Sequence, residues 1–374
     1  MTRIVQLANF YGPYTGGLKT VVEELARCYA SEGIERVLIA PGTADRRDAT
    51  ASGTRIFVRA PVVPGSGGYR MICGTRRVLR LLDDLHPDAI EVSDKTTLVA
   101  AARWARDRGV PCTLLSHERI DAILRGRVPG FVPLGGVADA WNARLTRRFD
   151  AVVCPSRFAS QEFERIGARN VSVVPWGVDL ETFSPDAGRG GAPSRRAALE
   201  LISVGRLSKE KEPERAIDVA LELHRRGIDV HLTMVGTGPM QKTLERRAQT
   251  APVTFVGHVS DRREVAALLA AADVTLAPCR AETFGLAVLE SLACGTPVVT
   301  SESGAGFEVC GVGNGIAAPP DAQLMADAVT MLVSSDRDAL RRRARMRAEQ
   351  FPWSRAATSV LAVHRCAHER VGSA

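Results

Sequence analysis

The sequence is poor in the features that mark membrane-spanning, disulfide-bonded and metal-binding proteins. No apolar run approaches the roughly 18 residues that a bilayer-spanning helix needs. The eight cysteines are scattered, with no Cys-x-x-Cys pair and no His-Cys cluster at metal-ligand spacing. We therefore expect no disulfide framework and no structural zinc site, and we expect reduced cysteines that mostly lie in the core.

Aromatic residues and excess charge are also scarce. Phe, Trp and Tyr make up 5% of the chain, and the net charge is only +7 over 374 residues. Proteins that bind nucleic acids through single strands interleave aromatic side chains with a basic surface, so no nucleic-acid partner is expected. The modest positive charge permits an anionic small ligand or an anionic membrane surface. Residues 1–12 enter a strand pattern directly, which predicts a cytoplasmic protein without a cleaved signal.

Short apolar runs alternate with amphipathic helical stretches along the whole chain. This pattern is typical of parallel βαβ units, and 374 residues exceed what one hydrophobic core usually spans. We therefore predict an α/β protein with two Rossmann-like, doubly wound halves, separated by an aperiodic segment at Ser184–Arg196. The predicted strands are Arg3–Ala8, Arg36–Ala40, Arg55–Val58, Asp88–Val92, Pro111–Ser116, Asp150–Cys154 and Val171–Val174, then Glu200–Gly205, Asp229–Val235, Val253–Val256, Asp273–Ala277 and Pro297–Thr300.

The stretch Pro278–Val299 combines two carboxylates with a helix start. Glu282 and Glu290 lie eight positions apart, Thr283 is the expected N-cap of a helix, and Gly295 is its expected stop. A helix N-terminus favours an anionic or hydroxyl-rich ligand, so Glu282 is a candidate for binding sugar hydroxyls and Glu290 for a ribose. The alternative is a polar helix start followed by a solvated glutamate.

Ligands of open α/β sheets bind beyond the carboxyl ends of the strands, and other candidate residues follow strands in the same way. Arg206 and Lys211 follow a strand of the second half and can neutralise a diphosphate, or pair with nearby glutamates instead. His117 ends a strand of the first half and can exchange a hydrogen bond with a reacting hydroxyl, although a lone histidine is more often structural. Asp261 can accept two N–H donors of a guanine, or cap a helix.

Glycines and arginines supply two further candidates in the first half. Gly16 and Gly17 precede a helix and allow close approach of a phosphate, although a plain βα turn explains them equally well. Gly65–Arg80 predicts a basic amphipathic helix that lies on an anionic bilayer, or else a core-packed helix with a solvated basic face. The basic residues of this candidate membrane and acceptor surface are Arg70, Arg76, Arg77 and Arg80. The arginine-rich stretch Arg119–Arg148 fits an acceptor-side loop or an ordinary surface excursion.

Taken together, these motifs resemble the GT-B glycosyltransferases of family 4, retaining enzymes that use nucleotide-diphosphate sugars. The resemblance covers essentially the whole chain, and it depends on Glu-x7-Glu at 282–290 combined with Gly-Arg-x4-Lys at 205–211. Residues 5–18, 91–98, 116–121 and 281–299 are similar to actinobacterial GDP-mannose-dependent α-mannosyltransferases that act on phosphatidylinositol mannosides.

The resemblance implies two domains that face a central cleft, residues 1–180 and residues 181–352, with a C-terminal helix at 353–374 that packs back on the first. It implies that His117, Glu282, Arg206 and Lys211 act near the reacting centre. The implied donor site consists of Gly16, Gly17, Arg206, Lys211, Asp261, Glu282, Thr283, Phe284, Gly285, Leu286 and Glu290.

The resemblance also implies the reaction's partners. The donor is GDP-mannose, the acceptor is a glycolipid, and the enzyme associates peripherally with the inner face of the plasma membrane. No metal is expected to be essential, because Arg206 and Lys211 neutralise the leaving diphosphate, although stimulation of the reaction by Mg²⁺ is compatible with this expectation. A UDP-sugar donor, and an acceptor such as a glucuronosyl-diacylglycerol or a small molecule, are the alternatives.

Overall fold

A computed structural model of the protein describes residues 2–12, 16–64, 68–121, 135–187, 198–249 and 251–372. The chain forms two compact units. The first contains Met1–Pro175 together with Trp353–Ala374, and the second contains Trp176–Pro352. The division therefore lies at Pro175–Trp176, close to the expected position at residue 180, and residues 188–197 of the aperiodic segment lie outside the described residues.

The first unit is built on an eight-stranded sheet in the order β3-β4-β2-β1-β5-β6-β7-β8. Its neighbours are parallel except for the antiparallel pair β3 and β4. The order reverses direction between β1 and β5, which makes this the topological switch point. The strands are β1 (Arg3–Leu7), β2 (Glu35–Gly42), β3 (Arg46–Thr50), β4 (Gly53–Arg59), β5 (Ala89–Val92), β6 (Cys112–Leu115), β7 (Ala151–Cys154) and β8 (Val171–Val173).

Helices cover this sheet with buried apolar faces. The first helix of the unit buries Val22 and Leu25 against the strands. The helices of this unit are α1 (Gly17–Ser31), α2 (Arg76–Leu85), α3 (Ala100–Arg106), α4 (Gly135–Thr146), α5 (Arg157–Glu164) and, from the end of the chain, the helix Trp353–Gly372, which is numbered below as α13.

A fully buried polar cluster connects the C-terminal helix to the first sheet. Strand register aligns Gln6 on β1, Glu91 on β5 and Thr113 on β6. The Glu91 carboxylate accepts hydrogen bonds from Gln6 (2.8 Å) and Tyr29 of α1 (2.5 Å), and pairs with His364 (2.9 Å), whose other ring nitrogen lies 3.2 Å from Thr113 Oγ1. The first unit therefore contains polar groups that are satisfied only when the last helix is in place.

The second unit has a six-stranded, parallel sheet in the order β11-β10-β9-β12-β13-β14. The order reverses between β9 and β12. The strands are β9 (Leu199–Val204), β10 (Val230–Val235), β11 (Val253–Gly257), β12 (Val274–Ala277), β13 (Val298–Ser301) and β14 (Gly315–Ala318). The helices are α6 (Glu214–Arg225), α7 (Gln241–Arg247), α8 (Arg262–Ala271), α9 (Leu286–Ala293), α10 (Gly306–Cys310), α11 (Ala322–Val333) and α12 (Arg337–Ala348), followed by α13 (Trp353–Gly372) of the first unit.

Two strands are absent from the sequence prediction. β3 is the polar segment Arg46–Thr50, which is mostly exposed, and β14 is a short run of small residues with little apolar signal. Both lie at sheet edges, where burial imposes the weakest sequence pattern. Within the described ranges, no helix is long and apolar enough to cross a membrane. The cysteines are free thiols, and five of them are buried: Cys112, Cys154, Cys279, Cys294 and Cys310.

Candidate active site

The strongest candidate site of the second unit lies at the carboxyl ends of β9 and β12, its topological switch point. Lys211 follows β9 and ends a short 3-10 turn, while Glu282 follows β12. The Lys211 ammonium lies 2.7 Å from Glu282 Oε2, so residues 71 positions apart form one ion pair at this edge. Both side chains keep a partly exposed surface, 38% for Lys211 and 23% for Glu282, through which a ligand can reach them.

The Glu282 carboxylate is held in its ionised form. Burial raises its pKa, but the Lys211 ammonium and the backbone N–H groups of Phe284 and Gly285 lower it by more, so the net pKa lies below the ordinary value. At neutral pH Glu282 is therefore a hydrogen-bond acceptor and carries no proton to donate. Such a group suits the binding of sugar hydroxyls better than general acid catalysis.

Close backbone packing fixes the loops around this pair. The backbone N–H of Leu207 donates to the carbonyl of Thr237 (3.0 Å). A Cβ at Gly238 would lie 2.2 Å from the carbonyl oxygen of Leu207, and one at Gly236 would lie 1.9 Å from that of Gly205. No side chain fits either position, because the loops after β9 and β10 are in direct contact.

A second ion pair connects the loop after β9 with the loop after β12. The Glu212 carboxylate accepts from the backbone N–H of Arg280 (3.1 Å) and from its guanidinium (2.5 Å to Nη2), and also pairs with Arg215. Burial raises the pKa of Glu212, but the hydrogen bonds from Arg280 lower it by more. The backbone N–H of Ala305, after β13, donates to the carbonyl of Glu282 (2.7 Å). Three loops thus hold Glu282 in position.

The helix after Glu282 begins later than predicted. Thr283 is not the N-cap, since α9 starts at Leu286 and its N-cap is Gly285, which has a φ of 93° and no side-chain cap. Glycine adopts this left-handed conformation at little cost, so the chain turns sharply between Phe284 and Leu286. The predicted stop is confirmed, because α9 ends at Ala293 and Gly295 has a φ of 74°.

The remaining candidates of the second unit have partners within the protein. Glu290 Oε1 lies 3.2 Å from the guanidinium of Arg262, so Glu290 is not the solvated glutamate of the alternative interpretation. Asp261 caps α8, its Oδ1 accepting from the backbone N–H of Arg263 (2.9 Å), as the capping interpretation has it. Arg206 lies 3.9 Å from Glu210, at the limit of an ion pair. None of these contacts excludes a ligand.

The switch point of the first unit is organised by neutral hydrogen bonds. Asn9, two residues after β1, donates to Thr97 Oγ1 (2.9 Å) and accepts from the backbone N–H of Ile72 (2.9 Å). Thr97 Oγ1 in turn donates to the carbonyl of Ile72 (2.6 Å). These bonds connect the loops after β1 and β5 to the segment before α2.

His117 follows β6 at the same edge, where its Nε2 forms a 3.0 Å hydrogen bond with Ser93 Oγ. Burial and the nearby Lys95 ammonium lower the pKa of His117 to about 4. The imidazole is therefore neutral at pH 7. At that pH the ring can donate or accept a hydrogen bond as a neutral group, and it does not change its charge near neutral pH as an unperturbed histidine does.

Lys95 is itself part of a buried ion pair. Its ammonium lies 2.5 Å from Glu162 of α5 and donates to the carbonyl of Glu118 (2.6 Å). Glu162 also accepts from the backbone N–H of Ile120 (2.9 Å) and from Asn142 of α4 (3.0 Å). The segment that carries His117 is therefore tied to two helices.

Gly16 and Gly17 lie at the start of α1, where Gly16 is the N-cap without a side-chain cap. A Cβ at Gly16 would meet no atom of the described residues within 4 Å. Packing within this part of the protein does not require glycine there. The role of the two glycines in binding a diphosphate stays a prediction.

The structure separates the four predicted membrane-facing arginines. Arg70 is not helical: its backbone bridges Val62, and its guanidinium donates to the carbonyl of Ala60 (2.6 Å). Arg77 pairs with Asp45 (2.6 Å), and Arg76 and Arg80 are exposed on α2. The apolar residues of this stretch are packed in the core, with Ile72, Val78 and Leu82 buried and Leu79 and Leu81 packed against them. The prediction that Gly65–Arg80 contributes an amphipathic helix that lies on a bilayer is therefore wrong, because the helix begins only at Arg76 and its apolar face is already covered by the core.

Part of the candidate acceptor region is not covered by the structure. Residues 122–134 of the stretch Arg119–Arg148, and residues 65–67 of the glycine loop, lie outside the described residues. Among the residues that are described, no group of three or more His, Cys, Asp and Glu side chains is arranged to hold a metal ion.

Several residues of both edges were missed by sequence reasoning. Asn9, Ser93 and Lys95 lie within three residues of the end of a strand, so their position was a usable signal. Glu162 and Arg262 lie on helices, and nothing in the local sequence distinguishes them from solvated charges. Only the fold brings Glu162 to Lys95 and Arg262 to Glu290.

Comparisons with known proteins agree with this architecture. Residues 15–182 match the family model Glycosyltransferase Family 4, and residues 193–351 match the model Glycosyl transferases group 1. The chain is 44% identical to a GDP-mannose-dependent alpha-(1-6)-phosphatidylinositol dimannoside mannosyltransferase of Mycobacterium tuberculosis, over 96% of this chain and 95% of the relative. It is 30% identical to a glycogen synthase of the same species, over 97% and 94% of the two chains.

A solved structure with the same fold is the sucrose-phosphate synthase of Thermosynechococcus elongatus. The two align with a TM-score of 0.80 at 19% identity, covering 98% of each chain. At that identity the likeness establishes the fold alone.

Proposed function

The chain belongs to glycosyltransferase family 4 and has the α/β GT-B fold, and from this premise we propose that it transfers mannose from GDP-mannose to a phosphatidylinositol mannoside in cell-envelope glycolipid synthesis. The observation that carries the proposal is the Lys211–Glu282 pair at the switch point of the second unit. The mycobacterial relative, which matches nearly the full length of both chains, supports this donor and this class of acceptor.

In the proposed donor site, Lys211 and Arg206 neutralise the diphosphate, and Gly16 and Gly17 allow its close approach. Lys211 supplies a compact charge and Arg206 a planar fork, which suit phosphate oxygens. Because the charge on the diphosphate grows as the sugar leaves, both cations stabilise the transition state more than the ground state.

The sugar and nucleoside have separate proposed contacts. Glu282, Thr283 and the backbone of Phe284–Leu286 surround the mannose, and Glu282 accepts hydrogen bonds from its hydroxyls. Glu290 binds the ribose, oriented by Arg262. Asp261 reads the guanine with the oxygen that its helix cap leaves over, since only Oδ1 accepts from Arg263. His117 contacts the sugar as a neutral hydrogen-bonding group.

We propose a retaining, front-face reaction. The bond between the anomeric carbon and the β-phosphate oxygen breaks, and its electron pair leaves with GDP. The acceptor hydroxyl forms the new bond on the same face and passes its proton to the leaving phosphate. This route needs no protein nucleophile, because the acceptor attacks the anomeric carbon directly. It needs no metal, because Arg206 and Lys211 stabilise the charge of the leaving diphosphate.

We also propose that the enzyme works peripherally at the cytoplasmic face of the plasma membrane. The exposed side chains of Arg76 and Arg80 on α2 support this by offering charge to anionic lipids. The apolar face of α2 takes no part.

The test is a transfer assay with the full chain, labelled GDP-mannose and a phosphatidylinositol mannoside, with the product identified by mass spectrometry. We expect one added mannose and no loss of product in a metal chelator, and no product with Glu282→Gln. Transfer from a UDP-sugar instead, with tighter binding of UDP than of GDP in calorimetry, would overturn the assignment of GDP-mannose as the donor.

The glycogen synthase relative makes another acceptor the second candidate, which the same assay detects with glucuronosyl-diacylglycerol or small-molecule acceptors.

A further inference from the structure

A cavity of about 630 Å³ opens on the surface of the first unit between α2 and α3, away from the edge that carries His117. Arg106 ends α3 before β6, and Arg148 lies before β7, so both stand at the amino ends of the strands, whereas His117 follows the carboxyl end of β6. The lining of this cavity combines the apolar side chains of Leu79, Ala100 and Trp104 with one carboxylate, that of Asp107, and with the guanidinium groups of Arg103, Arg106, Arg108 and Arg148.

The apolar wall of the cavity is held rigidly. The indole N–H of Trp104 donates to Asp83 Oδ1 (2.9 Å), and the guanidinium of Arg108 stacks on the ring with 4.5 Å to its centroid. Arg108 also pairs with Asp83 (2.7 Å), so its charge is already compensated. Arg108 therefore forms part of the wall, and a ligand's charge has to be met by other arginines.

Arg106 and Arg148 lack such compensation, and that of Arg103 is weak. Arg106 donates to the carbonyls of Arg147 (2.7 Å) and Arg148 (3.0 Å), which fix the guanidinium without neutralising it. The carboxylate nearest to Arg103 is that of Asp107, at 3.9 Å and well exposed. Within the described part of the chain, neither Arg106 nor Arg148 has a carboxylate at ion-pair distance.

The arginines also repel one another. Burial lowers the pKa of Arg148, and the charges of Arg144, Arg103 and Arg106 lower it further. Helix C-termini attract basic side chains, which accounts for Arg103 and Arg106 in the last turn of α3 and for Arg144 in the last turn of α4. The helix ends do not account for Arg148, which lies outside both helices and whose charged form the neighbouring arginines destabilise.

We propose that this cavity is a binding site for a phosphate-bearing anion, with Arg103, Arg106 and Arg148 contacting the phosphate oxygens and Leu79 and Trp104 contacting an apolar part of the ligand. Guanidinium groups bind phosphate through paired, charge-assisted hydrogen bonds, and a bound anion converts their repulsion into attraction. The ligand is a soluble organic phosphate or a phospholipid headgroup. The site is separate from the proposed transfer reaction and does not depend on it.

The first test compares thermal unfolding in inorganic phosphate and in chloride at equal ionic strength. We expect phosphate to raise Tm of the wild type by about 2 °C more than that of Arg103→Gln/Arg148→Gln. Arg47→Gln/Arg59→Gln, which removes two exposed arginines of the same unit, is the control and is expected to respond as the wild type does. Phosphate bound at the diphosphate site contributes equally to all three proteins.

A second measurement tests whether the arginines are merely structural. Without phosphate, Arg148→Gln is expected to leave Tm unchanged or to raise it, because a repulsive charge is removed. A lower Tm of Arg148→Gln in chloride, or an equal phosphate response of both double variants, would overturn the proposal.

Two further experiments, vesicle binding and unfolding in the presence of glycerol 3-phosphate, distinguish a lipid headgroup from a soluble organic phosphate. The cavity variant is Arg103→Gln/Arg148→Gln, and the control variant is Arg47→Gln/Arg59→Gln. With a lipid headgroup, the cavity variant binds phosphatidylcholine vesicles containing phosphatidylinositol about tenfold more weakly than the control variant does. With a soluble ligand, glycerol 3-phosphate raises Tm of the control variant only, and vesicle binding is equal. Transfer activity, measured in parallel, reports on the proposed function independently of either result.

Discussion

In the second unit, charged residues at the carboxyl edge of the sheet meet one another directly, whereas in the first unit they are fixed by partners deeper in the fold. Lys211 pairs with Glu282 across two loops. His117, by contrast, bonds to Ser93 and lies near Lys95, whose charge is paired with the buried Glu162, and the sheet below it contains Glu91, which pairs with His364 of the last helix. The charges at the edge of the second unit can therefore interact with a charged ligand. The position of His117 at the edge of the first unit depends on the buried pairs beneath it.

The largest effect that would sharpen this comparison is on the stability of the first unit. Glu91→Leu leaves Gln6, Tyr29 and His364 without their shared acceptor in the core. We expect it to lower the free energy of unfolding by about 3–5 kcal/mol in chemical denaturation. Glu32→Leu, an exposed change at the end of α1, should cost less than about 0.5 kcal/mol. Equal effects of the two would contradict the role of the cluster.

The second effect concerns activity and the second unit. Lys211→Met keeps the length of the side chain and removes its charge, so we expect kcat/KM to fall by about 10²–10³ with Tm nearly unchanged. Lys209→Met removes an exposed charge of the same 3-10 turn and serves as the control. If both variants lose activity alike, the loss reflects general surface charge and the ion pair has no special part.

The third effect concerns pH and the first unit. The pKa of His117 is about 4 in the folded protein and about 6.5 in the unfolded chain, so only the unfolded chain takes up this proton between these values. Stability therefore falls as pH drops from about 6.5 to about 4. We expect the wild type to lose up to about 3 kcal/mol over this range relative to His117→Asn.

Urea unfolding of both proteins across this pH range measures the difference. His86→Asn, at an exposed position with a φ of 47° that asparagine tolerates, is the control for the loss of one histidine. Parallel pH profiles of the wild type and His117→Asn would contradict a neutral, buried imidazole.

The smallest expected effect tests whether the loops of the second unit are tied by charge or by backbone packing. A double-mutant cycle of Glu212→Gln and Arg280→Gln should give a coupling energy of about 1 kcal/mol, because Arg280 remains half exposed. Gly236→Ala, where a Cβ would overlap a carbonyl, should cost more than the whole pair. If the coupling energy of the ion pair exceeded the cost of Gly236→Ala, the ion pair would be the main interaction that holds the loops together.

The strand pattern of both units was predictable because parallel strands buried on both faces read as apolar runs. β1 and β10, for example, lie within one residue of the predicted bounds at each end. The polar strand β3 had no such signal. The residues after β9 and β12 were predictable as a site, since strand ends at a switch point meet in space.

The finer geometry was not predictable from local sequence. Thr283 is a good N-cap residue, yet Gly285 takes that position because the turn needs a left-handed residue before α9. Arg76 and Arg80 suggested a membrane helix, and the covering of its apolar face by the core is a tertiary fact. Pairings such as Lys95–Glu162 join distant segments, and no local pattern announces them.

The position of His364 has a consequence for synthesis on the ribosome. The second unit is one continuous stretch of chain, while the first is completed only by Trp353–Ala374. When the first unit emerges from the ribosome, Glu91 and Thr113 have no His364 to bond with, because His364 has not yet been synthesised. The first unit therefore remains incomplete through most of translation. The second unit has all of its sequence available earlier, and the order of synthesis is therefore the reverse of the order in which the two units can be completed.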